Sequence, residues 1–462
     1  MVIRIFNAYF PSRTLLLAFS EACVVVFAFT MSCVVLMGRD ADIFLNYDGG
    51  FANIALITVV FVLCMYYGDL YDSLILSNRR EVIIRLIQVS GVGTLVMAVL
   101  YSAYPKARLG AKNFELGLVL VMFLVWFWRE LFLWMFRSKH LLERAVLLGD
   151  GPLARKLADE IITRPDLGLQ LLGYVSTSTA QAQSNLPHLG TPDQLSEVVR
   201  TREVRRVLVA MSDQRGKLPM DELLAIKSQY ARVQDGAEIY EKLTGKLPLE
   251  SLRVSWLLFS SGLQTSRWAT AWKTAFSFII SFVLLILSLP IMLLVALAIR
   301  LDSPGPAVFL QERVGKGGKN FTLYKFRSMY HAIDECKINP PAEEDDPRIT
   351  RLGGFLRKSR LDELPQLYNI LRGDMHFVGP RPFVPDQEQD LVKAIPLYNQ
   401  RWNVKPGATG WAQINRGYCA TLADNKEKLA YDLFYIKNMS LSLDLLIMFK
   451  TMKILLLGRG GR

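Results

Sequence analysis

Histidine and cysteine are scarce in this 462-residue chain, with four of the first and five of the second. His140, His188, His331 and His376 are scattered, so neither a zinc site nor a Ser-His-Asp triad is easily built. Cys23, Cys33 and Cys64 lie inside apolar runs, Cys336 and Cys419 lie elsewhere, and no Cys-x-x-Cys pair occurs. Unpaired thiols of this kind fit a reducing compartment. There is no internal repeat, no finger spacing and no aromatic-interleaved basic repeat, so nucleic acid is not the expected partner. The first apolar stretch has no small-residue cleavage site and is too long for a signal h-region, so it reads as a membrane helix that stays.

What is present is apolar and basic: 51% of the residues are hydrophobic and the net charge is +12. In so apolar a chain the basic excess is expected to face anionic headgroups and phosphorylated substrates. Four apolar stretches, Thr14–Met37, Phe51–Tyr67, Ile83–Tyr104 and Phe114–Phe136, are each near the length that crosses roughly 30 Å of hydrocarbon. Arg4 and Arg13 precede the first, Arg79, Arg80 and Arg85 separate the second from the third, and Arg137, Lys139 and Arg144 follow the fourth. The positive-inside rule puts those segments in the cytoplasm, with Lys106, Arg108 and Lys112 as a weaker outside group.

From Glu143 the pattern alternates between strand and helix. Ala145–Leu148, Leu169–Val175 and Arg206–Ala210 read as strands, Met220–Arg232 as a helix, and Gly149-Asp150-Gly151-Pro152-Leu153-Ala154 as a glycine turn entering a helix. A dinucleotide site wants an acidic residue at the end of the next strand, and Leu169–Ser176 offers none. The module is therefore read as structural, oligomerising or regulatory, which leaves a homo-oligomer open.

A fifth apolar run, Thr274–Ile299, contains no charge and carries Pro290. It is either a spanning helix with a proline kink or a helix that breaks near Ser288-Leu289-Pro290 and leaves on the side it entered. Arg253, Arg267 and Lys273 before it, and Arg300, Arg313, Lys316, Lys319, Lys325 and Arg327 after it, favour the re-entrant reading.

The remaining segment carries the chemistry. Asp362-Glu363 sits in Arg357-Lys358-Ser359-Arg360-Leu361-Asp362-Glu363-Leu364-Pro365, on an expected helix Asp362–Leu371. Neighbours on a helix point about 100° apart, so the two acids cannot easily share one proton. Separate jobs suit them better: one carboxylate attacking phosphorus, the other holding Mg²⁺. Arg357, Arg360 and Arg381 could grip a diphosphate, and Lys325 and Arg327 alternate along a strand and so share a face. Amphipathic stretches at Leu391–Trp402 and Leu441–Leu457 read equally as interfacial or core-packing helices.

The blocks Ser303–Pro306, Gln311–Gly315, Tyr324–Met329, Leu361–Leu367, Gly373–Pro382, Val404–Asn415 and Tyr431–Asn438, in this order, resemble the bacterial sugar transferases of the monotopic phosphoglycosyl transferase superfamily. The resemblance runs from Trp272 to the C-terminus, and the earlier residues look like the family's larger members. It implies transfer of a sugar-1-phosphate, expected from a UDP-hexose, to undecaprenyl phosphate at the cytoplasmic face of the bacterial inner membrane. That step would initiate exopolysaccharide or another glycan. It further implies Asp362 as nucleophile, Glu363 as ligand to Mg²⁺, and Arg357 and Arg381 as phosphate contacts; Lys325 and Arg327 are the further candidates. Pro290 would break a re-entrant helix, although Leu289 stands where the family often has serine.

The expected architecture is a membrane protein with a bundle of four helices (1–140) and an α/β Rossmann-like cytoplasmic module (141–250). A linker with the re-entrant helix (251–300) and a mainly α-helical catalytic domain (301–462) follow. A non-catalytic scaffold or regulator of polysaccharide assembly is the alternative. It predicts a broken acid pair or missing arginines, and both are intact. A nucleotide-sugar oxidoreductase is disfavoured because Tyr230 and Tyr240 have no lysine four residues on.

Overall fold

The computed structural model describes residues 2–72, 79–137, 142–164, 167–177, 186–211, 218–229, 231–251, 267–330, 346–416 and 421–457. Tyr230, His331, Cys336, Cys419, His140, Lys139, Arg253 and most of the acidic loop before Pro347 lie outside them. The chain divides into two compact units, one of residues 9–236 with the first three residues, the other of 237–462 with residues 4–8. The boundary falls before the expected one at residue 250. Residues of the helix Gly236–Thr244 and the turn after it bond within the second unit: Glu241 takes Lys437 at 2.6 Å and Trp411 donates to the Gly245 carbonyl at 2.8 Å.

In the first unit, the helices Ser12–Met37, Gly50–Tyr67, Arg79–Ala103 and Ala111–Arg137 match the four apolar stretches. All four are long and apolar enough to cross a bilayer. Lipid gives such helices little hydrophobic reason to associate, so packing and polar pairs must choose their partners. Phe29 and Phe61 fill the centre, and Ser32 donates to the Asn113 carbonyl at 2.6 Å. Glu21 and Arg129 form a buried two-bond pair at 2.5 and 2.9 Å, and Arg129 also takes the Leu70 carbonyl at 3.0 Å. Both charges are enclosed, so losing either one strands the other.

The same unit contains a five-stranded parallel sheet with spatial order His188–Gly190, Leu169–Val175, Glu143–Leu148, Arg206–Val209, Arg232–Asp235. Numbered along the chain this is order 3-2-1-4-5, the doubly wound arrangement of dinucleotide-binding folds. A small pocket of about 230 Å³ lies against the glycine turn, lined by Gly149, Asp150, Ala154 and Tyr174. Gly149, at φ +119°, has the Ala210 carbonyl where a Cβ would come within 2.8 Å. The helix at Met220 ends at Gln229, and the strand after it, Arg232–Asp235, replaces the expected helix end.

In the second unit, the helix Arg267–Asp302 runs without interruption through Pro290. The expected break at Ser288-Leu289-Pro290 is thus a proline inside a continuous helix; Ser288 turns its hydroxyl to the Leu285 carbonyl at 3.4 Å. One face packs on the rest of the unit. Val295 and Ile299 join Phe326 and Leu356, while Leu285 joins Leu323, Leu367 and Ile370. Each buried side chain of this size contributes on the order of 2 kcal/mol. Antiparallel strands Val308–Val314 and Asn320–Phe326 and a parallel pair, His376–Val378 with Gly407–Thr409, complete the frame that holds the site.

Candidate active site

The acidic pair lies on a tight turn rather than on the expected helix Asp362–Leu371. Thr350 caps the helix Arg351–Ser359 by accepting from the Gly353 amide at 2.8 Å. Gly353 lies so close to Ser328 that a Cβ would fall 1.9 Å from its carbonyl oxygen. The helix stops at Arg360, whose φ of +59° is uncommon outside glycine. A single 3₁₀ turn, Leu361–Glu363, follows. Pro365 has no amide to continue the hydrogen-bond ladder, and a new helix begins at Gln366. Buried Asn369 on that helix donates to the Thr322 carbonyl at 2.7 Å and accepts from the Tyr324 amide at 3.0 Å. These bonds fix the turn against the strand that carries Lys325.

Three cations converge on one oxygen of the pair. Glu363 Oε1 has Arg381 Nη2 at 2.7 Å, Arg360 Nη1 at 3.3 Å and Lys325 Nζ at 3.6 Å. Burial alone would raise the Glu363 carboxyl, but the charges of Arg381, Lys325 and Arg360 outweigh it and hold it well below the usual carboxylate range. Asp362 goes the other way. Burial and then the Glu363 charge push it up, against the pull of Lys325, Arg360 and Arg381. Asp362 is only 8% exposed and its Oδ1 has no hydrogen-bond partner among the described residues. Two adjacent carboxyls with opposite environments have different chemical parts to play.

The cations repel one another. Burial lowers Lys325 to about 8, partly offset by Glu363. Burial and the charge of Arg381 lower Arg313 to about 10. A cluster held at this cost, half-buried but open to solvent at Arg360 and Arg381, suits a multiply charged anion such as a diphosphate.

Asp362, Glu363, Lys325 and Arg381 are therefore brought together as expected. Arg357 stands off from Glu363, which Arg360 reaches instead; one Arg357 nitrogen, Nη1, is buried without a partner among the described residues. Arg327 is not at the site. The strand ends at Phe326, so the shared face with Lys325 is lost, and Arg327 binds the end of the long helix. Its Nη2 takes the Ser303 carbonyl at 2.6 Å and the Ile299 carbonyl at 3.4 Å, and its Nη1 takes the Pro304 carbonyl at 3.0 Å. Arg313 and Arg401 were not singled out from the sequence. Arg313 lay within one of the matching blocks, whereas nothing around Arg401 in Tyr398–Trp402 marks it.

Residues 268–458 match the family described as bacterial sugar transferase, and residues 67–218 match one described as CoA-binding domain. An undecaprenyl-phosphate galactose phosphotransferase of Salmonella typhimurium is 30% identical over 348 residues, 69% of this chain and 71% of that protein. The chain belongs to the bacterial sugar transferase family. Among other sugar transferases, a UDP-glucose:undecaprenyl-phosphate glucose-1-phosphate transferase of Xanthomonas campestris pv. campestris is 35% identical over 331 residues, 67% of this chain and 66% of that protein. A UDP-N-acetylgalactosamine-undecaprenyl-phosphate N-acetylgalactosaminephosphotransferase of Aeromonas hydrophila is 47% identical over 172 residues, 37% of this chain and 40% of that protein. In these last two sugar transferases the matched part is less than two thirds of the relative's own length.

Proposed function

We propose that this protein transfers a hexose-1-phosphate from a UDP-hexose to undecaprenyl phosphate, releasing UMP, at the cytoplasmic face of the bacterial inner membrane. The observation that carries this reading is the asymmetry of the acid pair. Glu363 is tied to three cations, while Asp362 keeps a buried oxygen without a partner. The Asp362 carboxylate attacks the sugar-linked phosphorus, a P–O bond forms, and the bond to UMP breaks. A phosphate oxygen of the lipid then attacks the same phosphorus and the aspartate leaves, giving the lipid diphosphate sugar. Arg381, Arg360 and Lys325 neutralise the diphosphate, and Arg357, whose Nη1 has no partner among the described residues, is a further candidate donor.

The family resemblance read from the sequence implies Mg²⁺. No group of three or more His, Cys, Asp or Glu forms a metal cage among the described residues. The donor set fits an ion held by one carboxylate together with phosphate oxygens and water, which is how Mg²⁺ is usually held. Glu363, through its second oxygen, is the residue for it. Bound there, the ion would neutralise charge on the phosphates.

The helix Arg267–Asp302 is read as re-entrant, bent at Pro290 without a break in its helical run. Near its start Lys273 binds Asp444 at 2.6 Å, and at its end Arg327 takes the Ser303 carbonyl at 2.6 Å. Asp444 and Arg327 belong to one compact unit, which supports both helix ends lying on one side. This seats the acid pair at headgroup depth, where a lipid phosphate can meet a soluble nucleotide.

The test is to incubate the full-length protein in lipid nanodiscs with undecaprenyl phosphate and a panel of nucleotide sugars, and to measure nucleoside monophosphate release. Asp362→Asn is expected to lower release by more than a thousandfold. Unchanged release would remove Asp362 as the nucleophile.

A further inference from the structure

Four consecutive carbonyls around Arg381 are each held by a donor from elsewhere in the chain. Pro380 accepts from the Gly407 amide at 3.0 Å, Arg381 from Arg401 Nη2 at 2.7 Å, Pro382 from Arg313 Nη1 at 3.1 Å, and Phe383 from the Val314 amide at 3.0 Å. Prolines on both sides of Arg381 fix two further backbone angles. A loop of this length is ordinarily the soft part of a fold. Here it has no free acceptor left.

Arg401 is the member of this set that acts on Arg381 itself, and it is the most expensively built. Its Nε donates to Asp432 at 2.9 Å and its Nη1 to the Tyr398 hydroxyl at 2.7 Å, with Glu388 at 3.5 Å. The guanidinium also lies over the Phe383 ring, 5.0 Å from its centre. Arg401 is 5% exposed and Asp432 1%. A buried ion pair adds little net stability over an apolar pair of the same size. A stability role alone therefore explains poorly why a guanidinium is spent there. Its planar fork reaches an acid, a phenol and a main-chain carbonyl in fixed directions at once, which an ammonium cannot do.

We propose that Arg401 is a positioning residue: buried and oriented by Asp432, it clamps the Arg381 main chain so that the Arg381 side chain is already aimed when the substrate diphosphate arrives. This rests on the phosphate-contact reading of Arg381 given above. Rigid aim lowers the ordering cost of binding and holds the charge where it is needed in the transition state.

The experiment is a double-mutant cycle on the full-length protein in nanodiscs, reading kcat/KM for the nucleotide sugar alongside thermal unfolding. Arg401→Lys keeps the charge beside Asp432 and is expected to lower kcat/KM 10- to 100-fold with little change in the unfolding midpoint. In an Arg381→Ala background the same change is expected to cost less than threefold more, because the group it aims is gone. Full multiplicative losses, or wild-type kcat/KM in Arg401→Lys, would overturn the clamp. If Arg401→Lys does not fold, Asp432→Asn, which leaves the fork in place but frees it to turn, is run through the same cycle with the same two outcomes. Wild-type kinetics in Arg381→Ala would instead overturn the phosphate-contact reading beneath it.

Discussion

Arg381 donates to Glu363 at 2.7 Å, while Oδ1 of the adjacent Asp362 has no partner among the described residues. A carboxylate oxygen held by an arginine, with a second arginine and a lysine close by, has little electron density to offer phosphorus. In the reaction proposed above the attack therefore falls to its neighbour Asp362, whose Oδ1 carries no such partner.

With the phosphate role proposed for it, Lys325 should set an alkaline limit on activity. Its ammonium titrates at about 8, because burial disfavours the charge more than Glu363 restores it. As pH rises through that value the site loses one of its phosphate-neutralising charges, so kcat/KM for the nucleotide sugar should fall along a limb centred near pH 8. Lys325→Arg, which stays charged, should carry the limb beyond pH 9.5. An unmoved limb would assign it to another group. Stability runs the opposite way: this group titrates below its unfolded value, so the cost of its buried charge is relieved as pH rises from about 8 towards 10.5.

Arg327→Met separates two roles for that arginine. As a cap on the helix Arg267–Asp302, its loss strands the carbonyls of Ser303 and Pro304. The expected loss is about 2–3 kcal/mol, or roughly 5–10 °C in unfolding midpoint for a unit of this size. KM for the nucleotide sugar in the folded fraction should not change. A raised KM with an unchanged midpoint would restore Arg327 to the phosphate site.

His376 should make the second unit acid-sensitive. It is 3% exposed, its Nε2 meets the Thr274 hydroxyl at 3.1 Å, and its Nδ1 has no partner among the described residues. Burial, then the charges of Lys273, Lys405 and Lys316, push it down to about 3. The unfolded chain takes up a proton near pH 6.5 that the fold refuses, so stability is lost as pH falls below that value. Between pH 7 and pH 5 the loss is about 2 kcal/mol. Differential scanning fluorimetry should show the midpoint falling over this range, and His376→Gln should flatten it. An equally steep fall in His376→Gln would exonerate the histidine.

Cysteine labelling tests the helix topology. Trp268 and Leu301 flank the apolar run and are 78% and 80% exposed. With the native thiols replaced, a membrane-impermeant maleimide should reach Trp268→Cys and Leu301→Cys from the same face of sealed vesicles. Labelling from opposite faces would make this a crossing helix.

The long apolar runs and the strand residues Ala145–Leu148 were legible because lipid or protein on every side leaves an unbroken hydrophobic signature, bounded by glycine or charge. Arg232–Asp235 was not, since only Val233 in Arg-Val-Gln-Asp is apolar and the strand closes an edge. The helix through Asp362 was overextended because Pro365 is compatible with a first turn and does not announce where the previous one ended. Lys325 and Arg327 looked alike at spacing two; one residue of strand length separates a site residue from a helix cap. Arg401 was invisible for a different reason. Its partners are Asp432 and the main chain at Arg381, 31 and 20 residues away, and no local pattern encodes them.

The helix Arg267–Asp302 gives Val295 and Ile299 to the same cluster as Phe326, and Leu285 to the cluster of Leu323. It is a wall of the enzyme as well as its attachment. Deleting it to obtain a water-soluble fragment would uncover Phe326, one residue from Lys325, and unseat the strand that aims that lysine. Swapping it for a generic membrane anchor would keep the address and lose the catalyst.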